Sequence, residues 1–298
     1  MLPTRDGVSP SCVVTPAGTW PTMLAFLAER IPAVCSEEWA ERMARGEVAD
    51  DRGQRLTPGT PFKGQQKLWY YRQLAFEHPI PFEAKVVFQD DLIVVADKPH
   101  FLPVTPKGRY VQETLLVRLK RQLGIDTLVP MHRIDRETAG LLMFTIQPGT
   151  RHAYQSLFRD RAVTKVYEAV AAAPGPHLSF PLTRRSRLAE SERFMAMHEV
   201  EGEANAETRI ELIETREGRG LYRLHPSTGQ KHQLRAHMHA LGLPLEGDRI
   251  YPVLQPDLAE GEAPDYGQPL QLLAKGLRFT DPVTGQARAF ESGLKLNW

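Results

Sequence analysis

Two apolar runs, residues 86–88 and 92–96, are separated only by Gln89-Asp90-Asp91, which leaves room for a turn and none for a helix. Such a pair reads as a strand hairpin, and a hairpin commits its sheet to antiparallel pairing. Residues 141–146 and 163–171 read as further strands, as do Ile210, Leu212 and Ile213 and then residues 221–224. Helical spacing falls between them at Leu115, Leu116, Leu119 and Leu123, ended by Gly124, and again at Tyr154, Leu157 and Phe158. Another helix is expected from about Gln230 to Leu241, ended by Gly242. The alternation is irregular, and several strands follow one another across short turns. The pattern predicts an α+β fold with a mixed, mainly antiparallel sheet rather than a doubly wound parallel one.

The start of the chain is organised differently. The first 18 residues, rich in Pro, Thr, Ser and Gly, read as a loose arm. A helix is expected from Pro21 to about Arg30, with Leu24, Leu27 and Ile31 on one face. Ser36 caps a second, with Glu37 and Glu38 in its first turn, Arg42 and Arg45 in its last and Gly46 beyond. Residues 48–56 suggest a hairpin around Asp50-Asp51-Arg52-Gly53. These elements make residues 19–77 a small separate module. His78-Pro79-Ile80-Pro81 is the expected linker to a larger domain spanning residues 82–298.

Charge bears on the partner. The 37 Lys+Arg and 36 Asp+Glu give a net charge of +1, which taken whole argues against a nucleic-acid binder. By segment the picture changes. Residues 1–80 are neutral, 81–100 carry −2, 101–240 carry +6 and 241–298 carry −3. A phosphate backbone is held by a local patch, so the basic middle keeps a nucleic-acid partner open. No run of about 18 apolar residues is present, so no membrane span is expected. The start has no secretory pattern. Cys12 and Cys35 alone do not make a disulfide framework, so the cytoplasm is the expected compartment.

The stretch most suited to chemistry is His132-Arg133-Ile134-Asp135-Arg136-Glu137-Thr138-Ala139-Gly140-Leu141-Leu142. It lies between a helix and an apolar strand, where a loop stands on a rigid base. Asp135 is flanked by Arg133 and Arg136, and nearby cations keep a carboxylate ionised and available as nucleophile or base. On charge alone a solvated surface loop accounts for it better than a site does.

This stretch closely resembles the catalytic motif of the RluA-type pseudouridine synthase family, in which the aspartate, here Asp135, is the catalytic residue. Leu92-Ile93-Val94-Val95-Ala96-Asp97-Lys98-Pro99 resembles the family's first motif. Lys165-Val166-Tyr167-Glu168-Ala169-Val170 resembles its tyrosine strand, and Gly202-Glu203-Ala204-Asn205-Ala206-Glu207-Thr208 a further pattern. Pro226-Ser227-Thr228-Gly229-Gln230-Lys231-His232-Gln233-Leu234-Arg235-Ala236-His237 is similar to its arginine motif, and Gly242-Leu243-Pro244-Leu245-Glu246-Gly247-Asp248 follows as in the family. The motifs stand in order across about residues 85 to 290. Glu203 replaces a lysine, Gln230 an arginine and Leu273 a frequent histidine, which touches RNA contacts and substrate identity rather than the central chemistry.

The resemblance implies an RNA uridine isomerase with a pseudouridine synthase fold and a cleft. Asp135 would act as nucleophile or base, Tyr167 would pack against the flipped uracil, and Arg235 would pair with Asp135. His132, Arg133, Thr138, Lys165 and His232 are the expected substrate-binding set. Structured RNA, ribosomal or transfer, is the implied partner, with family precedent for a monomer. The reaction is redox-neutral, and the absence of a phosphate loop, cofactor fingerprint or zinc set agrees with chemistry that needs neither cofactor nor metal. His232, His237 and His239 do not have metal-ligand spacing. Lys107, Arg109, Arg118, Lys120 and Arg121, and a second cluster of Arg184, Arg185, Arg187 and Arg193, are candidate phosphate contacts. About residues 20 to 72 resemble a small RNA-binding domain shared with a ribosomal protein, although nine acidic residues within 1–80 dilute a basic face. Two other readings stand beside this one: a non-catalytic RNA-binding or folding protein on the same scaffold, and a glycoside-cleaving hydrolase, which needs paired carboxylates.

Overall fold

The computed structural model describes every residue except Met1, residues 192–195, Asp257, Glu260 and Gly261. The chain divides into two compact units. One comprises Met1–Glu77, Lys107–Gln112 and Val117–Asp126; the other comprises His78–Pro106, Glu113–Leu116 and Thr127–Trp298.

In the first unit, β1 (Ser11–Val14) is followed by α1 (Met23–Arg30), α2 (Ser36–Ala44), β2 (Val48–Ala49) and β3 (Lys67–Tyr70). The strands form an antiparallel sheet in the order β1-β3-β2. The stretch expected to be a loose arm therefore carries a paired strand. Val13 sits opposite Leu68, and Leu2 and Val8 are buried, an apolar signal masked by the surrounding small and polar residues. Thr22, rather than Pro21, starts α1, because its hydroxyl accepts the Ala25 N–H. Ser36 is the first helical residue of α2, and Cys35 stands at its cap without a side-chain bond. The turn after β2 is closed by Asp50 Oδ1, which accepts the N–H groups of Arg52 and Gln54. Met23, Phe26, Leu27, Trp39, Met43, Val48 and Leu68 form the core.

The second unit is built on one sheet. Its strands are β4 (Lys85–Gln89), β5 (Ile93–Lys98), β6 (Val129–Pro130), β7 (Ala139–Thr145), β8 (Thr164–Ala172), β9 (Leu182–Glu190), β10 (Met197–Val200), β11 (Ala206–Arg216), β12 (Arg219–Pro226), β13 (Leu272–Thr280) and β14 (Ala287–Glu291). They run in the order β10-β9-β11-β12-β8-β13-β7-β5-β4, with β14 on β13 and β6 on β7. Among the described residues only β13 with β7 is parallel, so the sheet is mixed and mainly antiparallel, as the hairpin spacing implies. Two helices of this unit follow the expected spacing, α4 (Arg151–Arg159) and α5 (Gln233–Ala240), as does α3 (Leu115–Leu123), most of which falls in the first unit. No helix of the described residues is long and apolar enough to cross a membrane.

Two packing layers hold the sheet. Tyr154 of α4 lies among Ile93, Val95, Leu141, Met143, Leu277 and Phe279. Leu234 and Met238 of α5 lie among Ile210, Tyr222, Leu224 and Leu272. The parallel contact depends on Gly140, which has φ +110°; a Cβ there would lie 2.3 Å from the Ala274 carbonyl oxygen. Arg184, Arg185 and Arg187 of the second basic cluster stand on strand β9. Arg184 and Ser186, on the less exposed face of the strand, find polar partners there: Arg184 Nε donates to Glu199 at 2.9 Å, and Ser186 Oγ meets the buried His237 Nε2 at 3.1 Å. Arg193 of the same basic cluster lies outside the described residues.

Candidate active site

Asp135 sits on the loop between β6 and β7, inside a turn closed by the Thr138 N–H on the Asp135 carbonyl at 3.2 Å. Buried side chains pin both sides of this loop. His132 accepts the Met143 N–H through Nε2 at 3.2 Å and stacks on Phe158 at 4.6 Å between ring centroids. Burial, with the Lys165 charge, pushes the His132 imidazole down to about 3, so it is neutral. Thr138 is buried. Lys98, at the end of β5 and without solvent exposure, donates to the carbonyls of Pro99 and Arg136, each at 2.9 Å. Burial lowers its pKa to about 7, partly opposed by the charges of Glu137 and Asp135.

Opposite stands Arg235, in the first turn of α5. Its Nη1 donates to Asp135 Oδ2 at 3.0 Å, while Nε and Nη2 donate to the two Asp248 oxygens at 2.8 and 2.6 Å. The Arg235 side chain is 1% exposed and that of Asp248 0%, whereas that of Asp135 is 26% exposed. Burial works against the Arg235 charge, but the Asp248 hydrogen bonds and the Asp135 charge overcome it and raise its pKa. Asp248 is itself fixed by the N–H groups of Ile250 and Tyr251. The result is a buried fork with one arm on a structural carboxylate and the other on a partly open one.

His232 lies at the N-cap of α5 in the left-handed region, φ +51°, which is why the helix begins at Gln233 rather than near Gln230. Its Nε2 is 3.8 Å from Asp135 Oδ1. Arg235, His232 and His239 converge on the ring of Tyr251, at 5.6, 6.1 and 5.6 Å. Gln233 ties this turn to the sheet: its side chain meets Thr228 Oγ1 at 2.7 Å, Thr208 Oγ1 at 2.9 Å and the Glu207 carbonyl at 2.9 Å. His237 bridges Thr208 and Ser186, and burial pushes it down to about 4. Among the described residues no group of His, Cys, Asp and Glu could hold a metal ion.

Tyr167 stands on β8 opposite Leu224 and Ala274. Burial, and then the Asp135 charge, raise its pKa, so the phenol stays protonated beside the carboxylate. Lys165, two residues earlier on the same strand, donates to the Thr228 carbonyl at 3.0 Å. Of the expected substrate-binding residues, the side chains of His132 and Lys165 thus hold backbone, Thr138 is buried and closes the Asp135 turn through its main chain, and Arg133 is exposed and pairs with no described residue. Of the phosphate candidates, Lys120 is buried and donates to Ser9 at 2.7 Å, while Lys107, Arg109 and Arg121 are exposed. Sequence reasoning passed over Asp248, Tyr251 and Lys98 as site residues. Two of these stand at the ends of motifs, Asp248 closing residues 242–248 and Lys98 in the Asp97-Lys98-Pro99 ending of the first motif, which is the signal that marks them.

A family model of RNA pseudouridylate synthases matches residues 92–240, which include Asp135, Tyr167 and Arg235. The chain belongs to this family. An uncharacterized RNA pseudouridine synthase of Synechocystis is 29% identical over 245 residues, covering 77% of this chain and 79% of that protein. The dual-specificity RNA pseudouridine synthase RluA of Haemophilus influenzae is 26% identical, covering 74% of this chain and 97% of its own. The mitochondrial tRNA pseudouridine(32) synthase of Saccharomyces cerevisiae is 33% identical over 172 residues, 56% of this chain and 37% of its own. Among solved structures, human RNA pseudouridylate synthase domain containing 4 superposes with a TM-score of 0.53 at 26% identity, covering 71% of this chain and 88% of that one. The protein is therefore an RNA-directed isomerase of the RluA type.

Proposed function

We propose that this enzyme converts selected uridines of structured RNA, ribosomal or transfer, to pseudouridine, with Asp135 as the reacting carboxylate and without a cofactor. The observation that carries the reading is the division of Asp135 between two roles. Arg235 fixes Oδ2 from a buried position, while Oδ1 accepts no hydrogen bond from a described residue on a side chain that is 26% exposed. One oxygen orients the group and the other is free to react.

The chemistry balances on such a site. The bond from C1′ to N1 breaks, the uracil turns, C5 bonds to C1′, and the proton lost from C5 is matched by one gained at N1. Asp135 serves either by adding to the sugar or by removing a sugar proton. Tyr167 supplies the aromatic face for an unstacked base, and its protonated phenol is the group assigned to help move the C5 proton. Arg133, exposed and paired with no described residue, suits a phosphate or base contact. Relatives named for tRNA and for dual specificity support both RNA classes as substrates. One chain supplies Asp135, Tyr167 and Arg235, which supports a monomer.

The test is Asp135→Asn in a deletion strain, with pseudouridine mapped across all RNAs. The expected result is complete loss of the target modification with RNA affinity retained. Modification that survives the substitution sinks the assignment, and release of free uracil by the wild type indicates a hydrolase instead.

A further inference from the structure

His232 has a conformation that a side chain rarely adopts. Its φ of +51° places a non-glycine residue in the left-handed region, and strain of this kind concentrates where a side chain must be aimed. The side chain is 9% exposed, and Nδ1 is buried with no hydrogen-bond partner among the described residues. Burial, outweighing the charge of Asp135, lowers the pKa of the ring and keeps it neutral. A neutral imidazole carries one N–H. Placing it on Nδ1 would strand a buried donor, whereas a bare acceptor there costs less, so the proton belongs on Nε2. That donor faces Asp135 Oδ1 across 3.8 Å. The gap is too long for a direct hydrogen bond, and Oδ1 is the oxygen that Arg235 leaves open.

A ribose carbon that reacts at Oδ1 must approach to about 3–3.5 Å. Whether that carbon is C1′ or C2′, the 2′-oxygen lies within two bonds of it and comes within reach of a donor set beside Oδ1. We propose that His232 donates from Nε2 to the 2′-hydroxyl of the target ribose, and so makes the site discriminate RNA from a deoxy substrate. The inference rests on Asp135 being the reacting group. The alternative is that His232 only buttresses Arg235 through Tyr251, in which case its loss affects ribo and deoxy substrates equally.

The probe is a synthetic stem-loop carrying the uridine mapped as this enzyme's site, and the same oligonucleotide with 2′-deoxyuridine at that one position. Single-turnover rates are measured on both for wild type, His232→Ala and His232→Gln. One hydrogen bond predicts a ribo-to-deoxy rate ratio of about tenfold in the wild type. The ratio should fall to about twofold in His232→Ala and recover partly in His232→Gln, whose amide keeps an N–H. Equal ratios in wild type and His232→Ala overturn the proposal. Should His232→Ala show no turnover, equilibrium binding decides: the affinity ratio should collapse between Asp135→Asn and the Asp135→Asn, His232→Ala double variant, and an unchanged ratio overturns the proposal. Turnover by Asp135→Asn itself instead refutes the role of Asp135, whatever the ratio.

Discussion

Lys98 Nζ donates to the Arg136 carbonyl at 2.9 Å from a position without solvent exposure, one residue beyond Asp135 along the chain. A cation buried this deeply is tolerated because two carbonyls receive its protons, yet burial still lowers its pKa to about 7.

Stability should therefore rise with pH relative to a variant lacking the amine. Between pH 7 and the unfolded lysine value near 10.4, the unfolded chain binds the extra proton and the folded one does not, so raising pH favours the folded state. Comparing urea unfolding of wild type and Lys98→Met at pH 7.5 and 9.5 should show the wild type gaining about 1 kcal/mol per pH unit on the variant. A difference that is flat with pH rules out a depressed amine.

Arg235 should be irreplaceable by lysine. Arg235→Lys keeps a charge but cannot serve Asp135 and both oxygens of Asp248 together. Arg235→Met leaves Asp248 buried without its counter-charge, at a cost of about 3–5 kcal/mol. Denaturant titration should place Arg235→Met well below Asp248→Asn/Arg235→Met in stability, and both Arg235 variants should lose modification activity. A fully active Arg235→Lys contradicts the fork geometry.

Tyr167 separates stacking from proton transfer. Tyr167→Phe should keep RNA affinity within about twofold while activity falls about 100-fold, the scale of a lost acid–base group. Tyr167→Leu should weaken both affinity and activity. Equal activity in Tyr167→Phe and wild type confines the residue to packing against the base.

RNA affinity should depend only modestly on salt. Many cations of residues 101–240 are already engaged, because Arg136, Arg184, Arg185, Arg209 and Arg223 pair with Glu137, Glu199, Glu207, Glu211 and Glu168 inside that region, and Arg219 pairs with Glu246 beyond it. A plot of log K against log salt should have a slope of about −3 to −4, reflecting few phosphate contacts. A slope near −10 contradicts this.

Much of the sheet was legible from its apolar and β-branched stretches: residues 141–146 overlap β7, and residues 163–171 overlap β8. Strand β9 was not, since Leu182-Thr183-Arg184-Arg185-Ser186-Arg187 shows no apolar alternation. Its inward positions are polar and are satisfied by Glu199 and His237, partners that only tertiary structure reveals. Asp135, Tyr167 and Arg235 were legible through their motifs, and the structure brings Asp135 and Arg235 into hydrogen-bond contact. Propensity gives no signal for the left-handed His232, and Lys120 resembles its exposed neighbours in sequence although its amine is buried on Ser9.

The bond from Arg235 joins residue 135 to residue 248. A polypeptide emerging from the ribosome acquires Asp135 long before it acquires either the guanidinium or the buried carboxylate that aims it. The carboxylate is thus set in its working orientation only after most of the chain has been made. The fork is in this way a late product of the chain, complete only when residues 135, 235 and 248 are all in place.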